Sequence, residues 1–309
     1  MSLALGIDFG GTTIKSGLVE EGRIIAHGDP IPTQSLAGPP AMIDALVALA
    51  AKFGQHGPLT AMGVGLPGIV DTHSGIVHEL TNVPGWVETP LRDILRERTG
   101  LTVTVENDAK AMAYGEWKHG AARNGHDIVC LTLGTGVGGA LILDGRLYRG
   151  AQLAAGEIGH MSIDYRGRPG PYGNFGCLEE YIGNQQIAQR AYERYQAAGS
   201  DRLLKDCSPR KLSLAAAEGD PIAKQIWEDI GDELGAALAS IVWVINPDTI
   251  VIGGGVAKAG ELLLDPVRRS IRSRTLKIVN QNIRISLAEL GNDAGIIGNA
   301  ALALEAASE

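Results

Sequence analysis

Leu5-Gly6-Ile7-Asp8-Phe9-Gly10-Gly11-Thr12-Thr13-Ile14-Lys15-Ser16-Gly17-Leu18-Val19-Glu20-Glu21-Gly22-Arg23-Ile24 is the stretch that decides the fold. Apolar residues alternate up to Asp8, a Gly-Gly-Thr-Thr turn follows, and a second strand runs from Ile14 to Val19. Glu21-Gly22 then turns the chain into a third strand, 23–26. The order returns downstream. A strand over 128–133 meets glycines at Gly134 to Gly139, a strand follows over 140–143, and Asp144-Gly145-Arg146-Leu147 echoes Glu21-Gly22-Arg23-Ile24. The copies begin near Leu5 and Val129, about 124 residues apart, and read as an internal duplication.

Outward from each copy, strands alternate with helices. A helix over 40–53 carries Ile43, Leu46, Val47 and Ala50 on one face. A buried strand over 61–65 ends in Leu66-Pro67-Gly68, and a helix over 90–99 stops at Gly100. A strand over 102–105 runs into Asn107-Asp108 and a helix over 109–118. The later half is more helical. Its longest helix, 221–245, repeats Ile222, Ile226, Ile230, Leu234, Leu238, Ile241 and Ile245 at spacings of three and four, a core stripe. A strand over 249–252 ends in Gly253-Gly254-Gly255, a helix follows over 260–274, and a closing helix starts near Asp293. The pattern predicts two similar α/β units flanking a cleft, with ligands at the strand ends.

Composition narrows the function. Net charge is −8, with no basic stripe and few aromatics, which argues against nucleic acid as a partner. Cys130, Cys177 and Cys207 are odd in number and far apart, so a reducing, cytoplasmic setting is expected. No signal peptide is read before the first strand, and the longest strongly apolar stretch, around 241–245, is far short of a membrane span. Forty-two glycines cluster at strand turns, where a backbone without Cβ can approach a ligand closely.

Five motifs carry chemistry. In the first, Gly10, Gly11, Thr12 and Thr13 present N–H and O–H donors suited to phosphate oxygens. Asp8 there suits Mg²⁺ and Lys15 offsets phosphate charge; an ordinary hairpin turn accounts for the same residues. The second, Gly134, Thr135, Gly136, Gly138 and Gly139, fits GxGxxG but is followed by a strand, so a second phosphate hairpin suits it better than a dinucleotide fold. In the third, Glu106-Asn107-Asp108, Asp108 suits a general base for a hydroxyl, and equally suits a helix N-cap. The fourth, Gly156-Glu157-Ile158-Gly159-His160 with Cys177-Leu178-Glu179 downstream, offers Glu and His for sugar hydroxyls. His160 and Cys177 alone are too few ligands for zinc. The fifth, Gly253, Gly254 and Gly255, lets an adenine ring lie against the backbone. No P-loop GxxxxGK[ST] occurs.

In this order the motifs resemble the ROK family of repressors and sugar kinases, and within it the bacterial glucokinases, over almost the whole chain. The resemblance implies an actin-like ATPase (ribonuclease-H-like) α/β fold of two domains, 1–114 with 295–309 and 115–294, with a sugar in the cleft. It implies an enzyme that uses ATP and Mg²⁺ to phosphorylate the 6-hydroxyl of a hexose, glucose first. Fructose, N-acetylhexosamine, a polyphosphate donor and a sugar-sensing regulator are the alternatives. It assigns the base to Asp108, the sugar to Gly65, Pro67, Asn82, Asn107, Glu157, His160 and Glu179, and the phosphates and adenosine to the first, second and fifth motifs. It further implies a homo-oligomer, dimer or tetramer. The family's zinc motif CxCGxxGCxE falls on 170–179, where Gly170 and Tyr172 stand at two cysteine positions. Structural zinc is therefore expected to be absent and the loop held by packing, with Tyr172 and Phe175 as candidates. Regulators of the family carry a helix-turn-helix before the first strand, so an enzyme is the expectation here.

Overall fold

The computed structural model describes residues 2–80 and 83–309. The chain divides into two compact units: Met1–Asn124, Arg149–Ala155 and Glu289–Glu309 form the first, Gly125–Tyr148 and Gly156–Ala288 the second.

The first unit opens with β1 (Leu3–Phe9), β2 (Thr13–Glu20), β3 (Arg23–His27) and β4 (Ile31–Pro32), then α1 (Gly38–Phe53) and β5 (Leu59–Leu66). A hairpin of β6 (Gly68–Asp71) and β7 (Ile76–Leu80) follows, then α2 (Leu91–Thr99), β8 (Thr102–Asn107) and α3 (Asp108–His119). The main sheet has the order β3-β2-β1-β5-β8, with β4 on β2. β1 pairs antiparallel with β2, and parallel with β5, which is parallel to β8. Period-two alternation sorts β1: Leu5, Ile7 and Phe9 enter a core with Leu46, Phe53 and Trp86, while Ala4 faces the other way.

The second unit holds β9 (Ile128–Leu133), β10 (Val137–Leu143) and β11 (Arg146–Tyr148), then α4 (Glu179–Ile182), α5 (Asn184–Ala197), α6 (Pro209–Ala217) and α7 (Pro221–Ile245). β12 (Thr249–Gly253), α8 (Glu261–Arg274), α9 (Lys277–Asn280) and β13 (Arg284–Leu287) complete it. Its sheet order, β11-β10-β9-β12-β13, repeats that of the first unit: an antiparallel meander, then two parallel strands. α7 spans the residues its apolar repeat predicts. Asp220 caps it by accepting from Ile222 and Ala223 N–H, Pro221 sits in its first turn, and Asn246 ends it at φ 51°.

α10 (Ala294–Ala306) then returns to the first unit. It approaches β1 and β5 so closely that a Cβ on Gly6 or Gly63 would strike the carbonyl of Ile296 or Asn299. Glycine is required there by contact, not by turn geometry. The unit bounds differ from the expected 1–114 with 295–309. α3 runs unbroken through 114, and fully buried Glu116 accepts hydrogen bonds from Ala121, Glu289 and Leu290 N–H, holding 115–124 and 289–294 to the first unit. Among the described residues no helix is long and apolar enough to cross a membrane.

Candidate functional site

In the first unit the candidates gather at the C-terminal ends of parallel strands. Register aligns Asp8 of β1 with Gly65 of β5, and Gly65 with Glu106 of β8, so three strands end side by side. Gly10, Gly11, Thr12 and Thr13 separate the paired ends Phe9 and Ile14, and Thr13 already belongs to β2. The turn is braced from outside: Thr33 Oγ1 donates to Gly10 O at 2.8 Å, and Thr33 N–H donates to Thr12 O at 2.9 Å. Nothing in the local sequence pattern points to Thr33. Lys15 Nζ lies 3.7 Å from Asp8 Oδ2. Burial pushes the Asp8 carboxyl above its ordinary value, and Lys15 offsets part of that rise. A carboxylate so placed gains from a further cation.

Gly65 is buried, and the space a Cβ would fill is taken by the Asn299 amide of α10. Asn299 Nδ2 donates to Ile7 O at 2.9 Å and to Gly295 O at 2.8 Å, which ties the strand bearing Asp8 to the helix behind it. Pro67 follows, half-buried, at the entry to β6. Asn82 lies outside the described residues.

At the β8–α3 junction the cap falls one residue before Asp108. Asn107 Oδ1 accepts from Ala109 and Lys110 N–H at 3.1 and 3.2 Å, and its Nδ2 donates to Gly68 O at 3.3 Å. Asp108 is the first helical residue, half-buried, with Oδ1 accepting from Ala109 N–H at 2.8 Å. Its carboxylate sits where the aligned peptide dipoles of α3 favour an anion.

In the second unit the candidates gather round the β9–β10 turn. Gly134, Thr135 and Gly136 join Leu133 to Val137, while Gly138, expected in the turn, lies within β10 opposite Thr132. Gly254, at φ 88°, lies against the Leu133 backbone so tightly that a Cβ would strike its carbonyl, which brings Gly253, Gly254 and Gly255 to the same strand end. Glu179 Oε2 accepts from Val137 N–H at 2.8 Å, so this carboxylate, expected at the sugar, braces the glycine turn. Asn184 N–H donates to Gly134 O at 2.9 Å from the other side. The segment 156–160 lies flat on β10: a Cβ on Gly139 or Gly159 would strike the carbonyl of Gly156 or Val137. Glu157 is exposed on it, and His160 is half-buried.

Loop 161–178 is an irregular hairpin. Ile163 N–H donates to Gly176 O, Leu178 N–H to Met161 O and Gly176 N–H to Arg168 O, at 2.8, 2.9 and 2.6 Å. Asn174 Nδ2 donates to His160 O at 3.2 Å, and Arg168 donates to Glu180 O at 2.7 Å. Tyr172 meets the His160 ring edge-on at 5.0 Å but is 78 % exposed, and Phe175 is exposed too, so backbone bonds carry most of the expected packing role. The donor set does not fit a four-ligand zinc. His160 Nδ1 is buried without a hydrogen-bond partner, but Cys177 is the one thiol beside it in this loop, Gly170 and Tyr172 bring no further ligand, and a side chain at Gly170 would strike the Asn174 amide.

The model of the ROK family matches residues 4–306. The chain is 35 % identical to a glucokinase of Streptomyces coelicolor, over 99 % of this chain and 98 % of that one. A crystal structure of a ROK family glucokinase from Streptomyces griseus, in complex with glucose and AMPPNP, is 34 % identical with TM-score 0.81, over 98 % of this chain and all of that one. A ROK family transcriptional regulator, a homologue of the Escherichia coli Mlc protein, is 28 % identical with TM-score 0.89, over 99 % of this chain and 78 % of that one.

Proposed function

This chain belongs to the ROK family and has the actin-like ATPase fold of its sugar kinases; on that premise we propose that it transfers the γ-phosphoryl group of ATP to the 6-hydroxyl of glucose, with Asp108 as general base. The observation that carries this reading is the division of labour at the start of α3. Asn107 takes the cap, and Asp108, one residue on, keeps a half-exposed carboxylate. The substrates are those named for similar proteins, a glucokinase and a glucose–AMPPNP complex.

In the reaction proposed, Asp108 takes the proton of the 6-hydroxyl as its oxygen attacks the γ-phosphorus, and the bond from that phosphorus to the bridging oxygen breaks to release ADP. Backbone donors of Gly10 to Thr13 and of Gly134 to Gly136 hold phosphate oxygens, and Lys15 offsets their charge. Asp8 would face the magnesium that accompanies the nucleotide, which would supply further neutralisation of phosphate charge. Asn82, Asn107, Glu157, His160 and Glu179 orient the sugar's hydroxyls, and Gly253 to Gly255 receive adenosine. Three buried cysteines, none of them in a disulfide, suit a cytoplasmic enzyme.

The test is a phosphorylation screen of purified protein, with glucose, fructose and N-acetylglucosamine against ATP and polyphosphate. Glucose with ATP is expected to lead, and Asp108→Ala to lower kcat by about 10²–10⁴-fold while glucose binding stays measurable. Near-normal turnover in that variant removes Asp108 as the base. The TM-score of 0.89 with a regulator favours sugar sensing as the second reading. Sugar binding by calorimetry, with no turnover on any pair, would establish it.

A further inference from the structure

We propose that Arg149 is a positioning residue: its ion pair with Glu106 fixes the first turn of α3, and its backbone anchors the root of the segment bearing Glu157. The inference rests on the reading of Asp108 and Glu157 given above.

Glu106 is 3 % exposed, the last acidic side chain of β8 before the Asn107-Asp108 pair. One carboxylate oxygen, Oε2, accepts from Arg149 Nε at 2.8 Å; the other, Oε1, accepts from Asn107 N–H at 2.9 Å. Asn107 in turn caps α3, so a continuous chain of hydrogen bonds runs from the guanidinium to the turn that begins with Asp108. A side chain this buried depends on its partners for its position, and breaking one half of a buried ion pair is strongly destabilising. Without Arg149 the Glu106 side chain loses its hydrogen bond at Oε2 and is free to shift, which alters its hold on Asn107 N–H.

Arg149 opens the short stretch Arg149–Ala155, which belongs to the first unit although the chain on both sides belongs to the second. The stretch closes on itself: Ala155 N–H donates to Arg149 O at 2.9 Å, and Leu153 N–H to Gly150 O at 3.3 Å. Gly150 and Leu153 both have positive φ, 76° and 61°. The next residues are Gly156 and Glu157. One arginine therefore holds the helix of the proposed base by its side chain and the root of the proposed sugar loop by its carbonyl.

The experiment uses the full-length chain with magnesium-ATP and glucose, and compares Arg149→Met, Arg149→Lys, Glu106→Gln and the Arg149→Met/Glu106→Gln pair, with Asp108→Asn as reference. Arg149→Met is expected to lower kcat on the order of 100-fold, as a displacement near 1 Å at a reacting group does. It should raise the glucose KM about 10-fold and leave the ATP KM within about 2-fold. The double variant should lose little more than the worse single one, since both act through one contact. An unchanged kcat, a change confined to the ATP KM, or losses that multiply would overturn the proposal. Should Arg149→Met fail to fold, Glu106→Gln and Arg149→Lys carry the same comparison, because the first keeps the shape of the acceptor and the second keeps the positive charge. If wild type turns over no hexose, or Asp108→Asn retains its turnover, the base assignment fails by itself. The positioning is then read from amide exchange at Ala109 and Lys110: about 10-fold faster in Arg149→Met supports it, and unchanged protection sinks it.

Discussion

Around the turn after β1, the strand positions that face each other two steps back carry charge, Asp8 opposite Lys15; around the turn after β9, the corresponding pair is Thr132 opposite Gly138. The second turn is also shorter, three residues between paired ends where the first has four. Thr33 braces the first turn, whereas Glu179 and Asn184 brace the second. Yet the outer turns of the two meanders have kept one geometry: Glu21 and Gly22 have φ of 49° and 75°, Asp144 and Gly145 of 52° and 64°, the left-handed pair that a tight hairpin of this twist requires. The duplication preserved backbone shape and let charge diverge. On the function proposed above, that divergence gives one hairpin the neutralising of phosphate charge and leaves the other backbone donation.

Lys15→Met against Thr132→Val tests that division most severely. Loss of the lysine is expected to lower kcat/KM for ATP about 100-fold, and the threonine change to alter it less than about 3-fold. Similar losses from both would break the comparison. Next come the outer turns, where Gly22→Ala and Gly145→Ala each force a side chain to positive φ, at about 1 kcal/mol. A Cβ on Gly22 would also strike the His119 ring, while His126 stays 3.7 Å from one on Gly145. Urea unfolding should therefore show about 2 kcal/mol lost for Gly22→Ala and about 1 for Gly145→Ala; equal losses would mean that His119 yields freely.

Glu179→Gln and Thr33→Val sharpen the matter of the braces. Each weakens or removes one hydrogen bond to a turn, about 1 kcal/mol, and each should raise the ATP KM about 5-fold, Glu179→Gln raising the glucose KM as well, without changing the unfolding midpoint by more than a few degrees. The smallest effect concerns Asp8. Its raised folded-state pKa means that it stabilises the fold relative to the unfolded chain only in acid, and loses that contribution as pH climbs from its ordinary 3.8 through the folded value. Asp8→Asn should therefore match wild type in melting temperature near pH 3.5 and melt slightly higher at pH 7. A lower melting temperature at pH 7 would show that Lys15 outweighs burial.

Much of this was legible in the chain. The α7 stripe, the repeated meander and the glycine turns follow from periodicity and turn chemistry, which act over a few residues. Gly138 and Thr13 were less so, because strand pairing continues into residues that composition marks as turn. The cap at the start of α3 falls on Asn107 rather than Asp108, because Asn107 has both an acceptor for the helix and a donor for Gly68 O. Arg149, Thr33 and Asn299 had no local signal at all.

By itself the sequence determined the α/β alternation, the internal repeat and the residue types at the strand ends, since each is set by neighbours along the chain. Tertiary structure alone decided which residues hold those ends in place. The Arg149–Glu106 pair joins positions 43 apart and Asn299 reaches Ile7 across 292. Such contacts come into being only when strands and helices have aligned. Their strength depends on burial, which no single stretch of sequence records.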